Sequence, residues 1–359
     1  MKQTPLYDKH VDLNARMVDY SGYEIPIQYT SIIEEHNAVR NSCGMFDVSH
    51  MGEFIITGKD AGSFLNYMTT NDVSTLNPGD AQYSAMCYEN GGIIDDILVY
   101  KYDDQYMLVV NASNLEKDFN WLNQHKPDDV NLYDVSQETG LIALQGPDSR
   151  NILNKVSNVD IPELKFYTFT EDNVDGKSVI IARTGYTGEL GYEIYADNNT
   201  IQKFWDAIME TGEITPCGLG CRDTLRIEMK FCLYGNDIDE TTNPIEAGLG
   251  WITKTGKPDF IGREAVLTAK ENKTRRLIAF EMTERAVPRH GYKLIFQKSE
   301  IGFVTSGTQS PSLQKGIGLG YVQEGIHKPG TEIDVDIRGK MKKAIIVKPP
   351  FYKQGTAHL

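Results

Sequence analysis

Tyr88-Glu89-Asn90-Gly91-Gly92-Ile93-Ile94-Asp95-Asp96-Ile97-Leu98-Val99-Tyr100 is the stretch from which the rest of the chain can be read. Asn90 and Gly91 both tolerate positive φ, so they predict a two-residue hairpin turn between a strand over Gln82 to Tyr88 and a strand over Ile93 to Tyr102. A turn at Asn90-Gly91 sets Tyr83 opposite Leu98; a turn at Gly91-Gly92 sets it opposite Tyr100. In both registers Tyr83 shares a face with the even-numbered Asp96, Leu98 and Tyr100, because side chains alternate with period 2. If Asp103-Asp104 form the loop of a second hairpin, Asn111 lies across from Asp96. One face then gathers Tyr83, Asp96, Tyr100 and Asn111. Aspartate is depleted in mid-strand, and a carboxylate among tyrosines and an asparagine could orient a flat, nitrogen-rich heterocycle. The competing reading is a solvated Asp95-Asp96 edge, with the tyrosines covering a core.

Outward from the hairpin, Glu53 to Thr57 and Tyr106 to Asn111 read as further strands joined by short turns. That pattern predicts antiparallel pairing and not a βαβ dinucleotide unit. Helices are signalled by Ser31-Ile-Ile-Glu34 and Ser113-Asn-Leu-Glu116, both capping boxes. The second leads into Leu115, Phe119 and Leu122 on one face, up to Pro127. Ile201, Phe204, Trp205 and Ile208 form another apolar stripe, and Gln145-Gly146-Pro147 predicts a helix with proline in its first turn. Past the charged stretch Lys270 to Arg276, five short strands (276–280, 292–296, 301–305, 317–322 and 344–347) predict a small β-barrel or jelly roll.

With 359 residues the chain is long enough for two or three domains. Its net charge of −14 disfavours nucleic acid as a partner. It contains no apolar run of about 18 residues to span a membrane, and its start has neither a signal core nor transit-peptide character, so the expected location is cytoplasmic. The five cysteines include no CxxC pair, which argues against a zinc ribbon or a disulfide framework. Cys217 and Cys221, one helical turn apart, read as buried reduced thiols. The seven histidines show no ligand spacing, and no metal is expected.

Several segments, in order along nearly the whole chain, resemble the aminomethyltransferase (T protein) family of the glycine cleavage system. They are Gly44-Met-Phe-Asp-Val-Ser-His-Met-Gly-Glu53, Gly91-Gly-Ile-Ile-Asp-Asp96, Leu144-Gln-Gly-Pro147, Arg183-Thr-Gly-Tyr-Thr-Gly-Glu189 with Gly191-Tyr-Glu193, Gly218-Leu-Gly-Cys-Arg-Asp223, Leu233-Tyr-Gly-Asn-Asp-Ile238, Asn243-Pro-Ile-Glu246, and Thr305-Ser-Gly307 with Ser310-Pro311.

The resemblance implies an α+β, three-domain cloverleaf of mainly antiparallel sheets with flanking helices around a central channel. Residues 1–50 and 138–275 would form a discontinuous first domain, 51–137 an inserted second one, and 276–359 a C-terminal barrel. It further implies tetrahydrofolate as acceptor substrate and the lipoylated carrier (H) protein as donor, working beside glycine decarboxylase and dihydrolipoyl dehydrogenase.

The family's catalytic aspartate falls on Asp96. Met51, Tyr83, Tyr100, Asn111, Tyr167, Tyr186, Glu193, Arg222 and Trp251 match its folate positions, with Glu193 on the pterin's amino-pyrimidine edge. Unaided, Glu193 reads as an exposed strand carboxylate, Arg222 as a surface ion pair with Asp223 or Glu228, and His50 as a structural hydrogen-bonder. The end of the chain, Thr356-Ala-His-Leu359, departs from relatives that place an arginine or tyrosine near the folate. A folate-dependent demethylase and a non-catalytic folate-binding protein on the same scaffold are the alternative functions.

Overall fold

The hairpin around Asn90-Gly91 forms in this computed structural model, which describes residues 1–157, 161, 164–174 and 176–358. It closes over a three-residue loop, Glu89-Asn90-Gly91, and not the expected two-residue turn: the Tyr88 N–H donates to the Gly92 carbonyl, the Gly91 N–H to the Tyr88 carbonyl, and Asn90 is not at positive φ. Ala81–Cys87 pairs antiparallel with Ile93–Lys101, and Tyr83 stands opposite Leu98. Gly91 takes φ +82°, as the turn requires. A register shift at Met86/Cys87 accommodates one extra residue, Ile94, just before the two aspartates. The second hairpin closes over Asp103-Asp104, where the Tyr102 N–H donates to the Gln105 carbonyl. Its pairing runs as far as Leu98 opposite Val109, and Asn111, just past the strand's end at Val110, reaches Asp96 through its side-chain amide.

With Gly52–Thr57 and Asn131–Asp134 these strands make a five-stranded antiparallel sheet. One of its faces, including Phe54, Ile56, Ile97, Val99 and Leu108, is closed by Leu65 and Met68 of one helix and Leu122 of another. Burying each such side chain is worth about 1.5–3 kcal/mol. On the other face, Tyr100, Met107 and Val109 pack against Leu141, Ala143 and Tyr195 of a six-stranded sheet.

In that second sheet Gly44–Asp47 lies beside Thr139–Gln145, so the chain leaves it to build the five-stranded sheet and then returns. The helix Asn198–Glu210 buries Ile201, Phe204, Trp205 and Ile208 on this core, and Asp197 caps it by accepting from the N–H groups of Asn199 and Thr200. The final unit is a closed six-stranded barrel, which resolves the barrel-or-jelly-roll alternative. Its fifth strand in chain order, Glu332–Ile337, escaped the sequence reading although Ile333, Val335 and Ile337 alternate with Glu332, Asp334 and Asp336.

Two helix starts differ from expectation. Ser31 does cap Ile32–Asn41 by accepting from the Glu34 N–H. Ser113 caps nothing: the helix begins at Leu115, and the Asn114 side chain at its start turns away to Asp95. Pro147 precedes its helix, Ser149–Val156, by two residues, because Gly146 at φ +138° first redirects the backbone close over Ser42 and Cys43. The segment around residues 257–261 also packs on the five-stranded unit. Lys257 Nζ donates to the carbonyls of Asn66, Thr69 and Asn71 at 2.5, 2.5 and 2.8 Å, and Ile261 enters that unit's core.

Candidate active site

A cavity of about 910 Å³ opens where the two sheet units meet the segment that follows the barrel. Asp96, Met51, Tyr83, Asn111, Tyr167, Tyr186, Glu193, Arg222 and Trp251 all line it, though they come from segments up to 200 residues apart in the chain. Tyr100 does not. It shares the Asp96 face, but the sheet-to-sheet contact closes over it. Its hydroxyl lies 3.0 Å from that of Tyr195 and 3.3 Å from Thr184 Oγ1, behind Glu193.

Strand alternation sets the electrostatics at Asp96. One of its carboxylate oxygens accepts from the Tyr83 hydroxyl at 2.8 Å and the other from Asn111 Nδ2 at 3.0 Å. Burial, and then the charge of neighbouring Asp95, push the Asp96 carboxyl up to about 7, against the opposing pull of those two hydrogen bonds. A group at that value can act as an anion or as a proton carrier near neutrality. The solvated-edge reading of Asp95-Asp96 is overturned. Asp95 is fully buried and accepts from the Asn111 N–H at 2.9 Å, Asn111 Nδ2 at 2.8 Å and Asn114 Nδ2 at 2.6 Å.

Glu193, also in the cavity lining, accepts from the hydroxyls of Thr184 and Tyr195. Burial raises its carboxyl above the ordinary range. The surface-ion-pair reading of Arg222 fails. Asp223 pairs with Arg226 and Glu228 with Arg40, while the Arg222 guanidinium stacks over the Tyr186 ring at 4.5 Å and makes no ion pair among the described residues. Its fork is therefore available to ligand oxygens. Tyr186 is anchored by its hydroxyl on the Cys232 carbonyl. Trp251, 58% exposed, tilts over Tyr83 with ring centroids 5.8 Å apart.

Sequence reasoning missed two contributions. His50 lines the cavity with its Nδ1 buried and unpartnered, held edge-on by Tyr20 and Tyr23. Burial and then the Arg222 charge hold it at about 4, so its imidazole is neutral at physiological pH. The other is the chain end: Tyr352, Lys353, Gly355, Ala357 and His358 also line the cavity. Thr356 ties this tail down, donating to Glu189 from its N–H at 3.0 Å and its hydroxyl at 2.6 Å. No composition or periodicity signal marks a tail that folds back; Leu359 lies outside the described residues.

Among the described residues Glu35, Cys217 and Cys221 gather in the interior. The Glu35 carboxylate there already accepts the N–H groups of Tyr29, Thr30 and Gly218, so its work is to join loops. All five cysteines are buried and reduced.

A cavity with aromatic walls, a carboxyl poised near neutrality, and a second carboxyl and a guanidinium in its lining suits a flat polar ligand and the movement of charge or a proton beside it. Comparison with known proteins narrows this. Residues 6–257 match the model of the GCVT N-terminal domain, and 275–353 that of the glycine cleavage T-protein C-terminal barrel domain. The chain is 49% identical to an aminomethyltransferase of Halothermothrix orenii, covering 98% of this chain and 100% of the relative. It is 50% identical to one from Bacteroides thetaiotaomicron, again at 98% and 100%. The crystal structure of the glycine cleavage system aminomethyltransferase T from Bartonella henselae superposes with a TM-score of 0.94 at 31% identity, covering 99% of both chains. The chain belongs to the glycine cleavage T-protein family.

Proposed function

We propose that this protein transfers the methylene carbon of an aminomethyl group, carried on the lipoyl arm of a glycine cleavage H protein, to tetrahydrofolate. The products are 5,10-methylenetetrahydrofolate, ammonia and the reduced lipoyl arm. The reading rests on full-length relatives named aminomethyltransferase and on one observation above all: the Asp96 carboxyl stands in the wall of a cavity large enough for a folate.

Folate N5 attacks the methylene carbon and ammonia departs. N10 then closes the ring as the sulfur leaves. Positive charge grows at the transferring carbon, and a preorganised carboxylate at Asp96 lowers that barrier. The two folate nitrogens lose protons while the leaving nitrogen and sulfur gain them, so a carboxyl poised near neutrality can also carry one across. Confining donor and acceptor together supplies an entropic share.

Glu193 accepts from the pterin's amino-pyrimidine edge, a bidentate match, and Arg222 contacts ligand oxygens. Met51, Tyr83, Asn111, Tyr167, Tyr186 and Trp251 form the walls. Tyr100 acts from behind, through Tyr195 and Thr184, by orienting Glu193. Residues 1–50 with 138–275, 51–137 and 276–359 serve as three lobes around the channel. Glycine decarboxylase and dihydrolipoyl dehydrogenase complete the system, with the cytoplasm as its compartment.

The test is reconstitution with lipoylated carrier, decarboxylase, dihydrolipoyl dehydrogenase and tetrahydrofolate. Omitting only this protein should abolish folate-dependent methylene formation; undiminished formation without it would refute the assignment.

A further inference from the structure

Behind Asp96 lies a carboxyl that the transfer chemistry leaves idle. Asp118, in the helix Leu115–His125, is fully buried, and neither of its oxygens meets an N–H or O–H donor. An ionised carboxylate in that position would be among the costliest groups a protein can bury. Its carboxyl abuts that of Asp95. Burial first, then the Asp95 charge and a hydrogen bond to Asp95, hold Asp118 well above the carboxylate range. Two carboxyls in contact share a proton, and the donors show which one holds it. Asp95 already accepts three N–H bonds, an arrangement suited to an anion, whereas Asp118 accepts none.

We propose that Asp118 is a positioning residue for Asp96: as a neutral acid it donates its proton to Asp95, so that one negative charge, and not two, sits behind Asp96 and sets the pH at which Asp96 ionises. The link between the two sides is Asn111, whose Nδ2 spans Asp95 at 2.8 Å and Asp96 at 3.0 Å.

The other groups around the cluster do not replace this proton. Lys117 faces both buried aspartates from the same helix, but its ammonium is engaged by the Ile94 carbonyl at 2.6 Å and the Tyr234 hydroxyl at 2.8 Å, over the Tyr234 ring. The Glu240 charge acts on Lys117, and that of Asp118 on Tyr88. On the cavity side Tyr83 bonds Asp96, and Tyr186 and Cys232, in the same lining, feel its charge. A second negative charge at Asp118 would drive the Asp96 proton affinity upward and leave less carboxylate at working pH.

The effect on catalysis rests on the proposed role of Asp96, so the test has two arms. Infrared difference spectroscopy of the ligand-free full chain, wild type minus Asp118→Asn, should show a protonated-acid C=O band in the wild type that the variant lacks. The amide of Asp118→Asn can still donate to Asp95 and adds no charge, so the acid limb of the transfer pH profile should stay where it is. Asp118→Leu removes the donor; its acid limb should move up by about half a pH unit or more, as expected when a neighbouring charge loses a hydrogen bond. Persistence of the acid band in Asp118→Asn, or an acid limb in that variant displaced to lower pH, overturns the proposal. Should Asp118→Leu fail to fold, Asp118→Asn alone decides it. Loss of the band without methylene transfer in the wild type would count against the proposed reaction and leave the protonated Asp118 standing.

Discussion

The Tyr83 hydroxyl donates to the Asp96 carboxylate across the hairpin at 2.8 Å, two residues from its own cross-strand partner Leu98 and on the same face. A hydrogen bond to an ionised group contributes about 1.5–3 kcal/mol. Tyr83→Phe should therefore lower kcat/KM roughly tenfold to a hundredfold and shift the acid limb of the pH profile upward, since the bond favours the charged form. Steady-state kinetics across pH 5.5–9 would show it; an unchanged profile would mean that the phenol does not tune Asp96.

The elevated Asp96 carboxyl, pushed up to about 7, fixes a sign for both activity and stability. If the anion is the working form, wild-type transfer falls as pH drops through about 7. For stability the direction is opposite. The folded state takes up this proton before the unfolded state does, so folding is favoured as pH falls through the same window. Asp96→Asn removes the burial cost of the charge. Urea titrations should find the variant more stable than wild type by a larger margin at pH 8.5 than at pH 6. Equal margins at the two pH values would contradict this.

In the proposed function Glu193 binds the pterin edge and takes no part in the transfer step. Glu193→Gln should weaken tetrahydrofolate binding by about 1.5–3 kcal/mol with a much smaller effect on single-turnover rate at saturating folate. Calorimetric titration and rapid-quench kinetics separate the two. A variant with normal affinity and a slow transfer step would exchange the roles assigned to Glu193 and Asp96.

Arg40 holds two buried acids, donating to Glu189 at 2.7 Å and Glu228 at 2.8 Å beneath the Tyr352 ring. Although burial works against it, Glu228 is held at about 2, chiefly by His36 and then by Arg40. Arg40→Met strands two carboxylates and should cost about 3–5 kcal/mol. Because Glu189 also anchors the tail through Thr356, folate affinity should fall with it. Thr356→Val loosens the tail alone and should weaken folate binding with a smaller loss of stability.

Much of this site could be read from local pattern. Alternation about the turn brought Tyr83, Asp96 and Asn111 onto one face in either of two registers; the observed one, Tyr83 opposite Leu98, arises from a three-residue loop together with the extra residue Ile94. The same alternation could not tell that Tyr100, four residues beyond Asp96 on the strand, would be capped by Tyr195 and Phe169. Nor could it tell that Asp95, on the other face from Asp96, would be buried: that depends on Asn111 and on Asn114, whose side chain leaves the helix start to serve Asp95. Ser113 and Pro147 mislead for a related reason, since tertiary contacts at Asn114 and Gly146 override the local capping preferences. His50 and the tail from Tyr352 to His358 reach the cavity through long-range packing, on which hydrophobic periodicity is silent.

The most direct measurement is single-turnover methylene transfer from the aminomethylated lipoyl carrier to tetrahydrofolate, wild type against Asp96→Asn, with folate affinity determined on the same preparations. Removing a preorganised charge of this kind costs about 2.7–4 kcal/mol, so the transfer rate should fall roughly a hundredfold to a thousandfold while folate affinity changes only a few-fold. Transfer at the wild-type rate in Asp96→Asn would contradict the account.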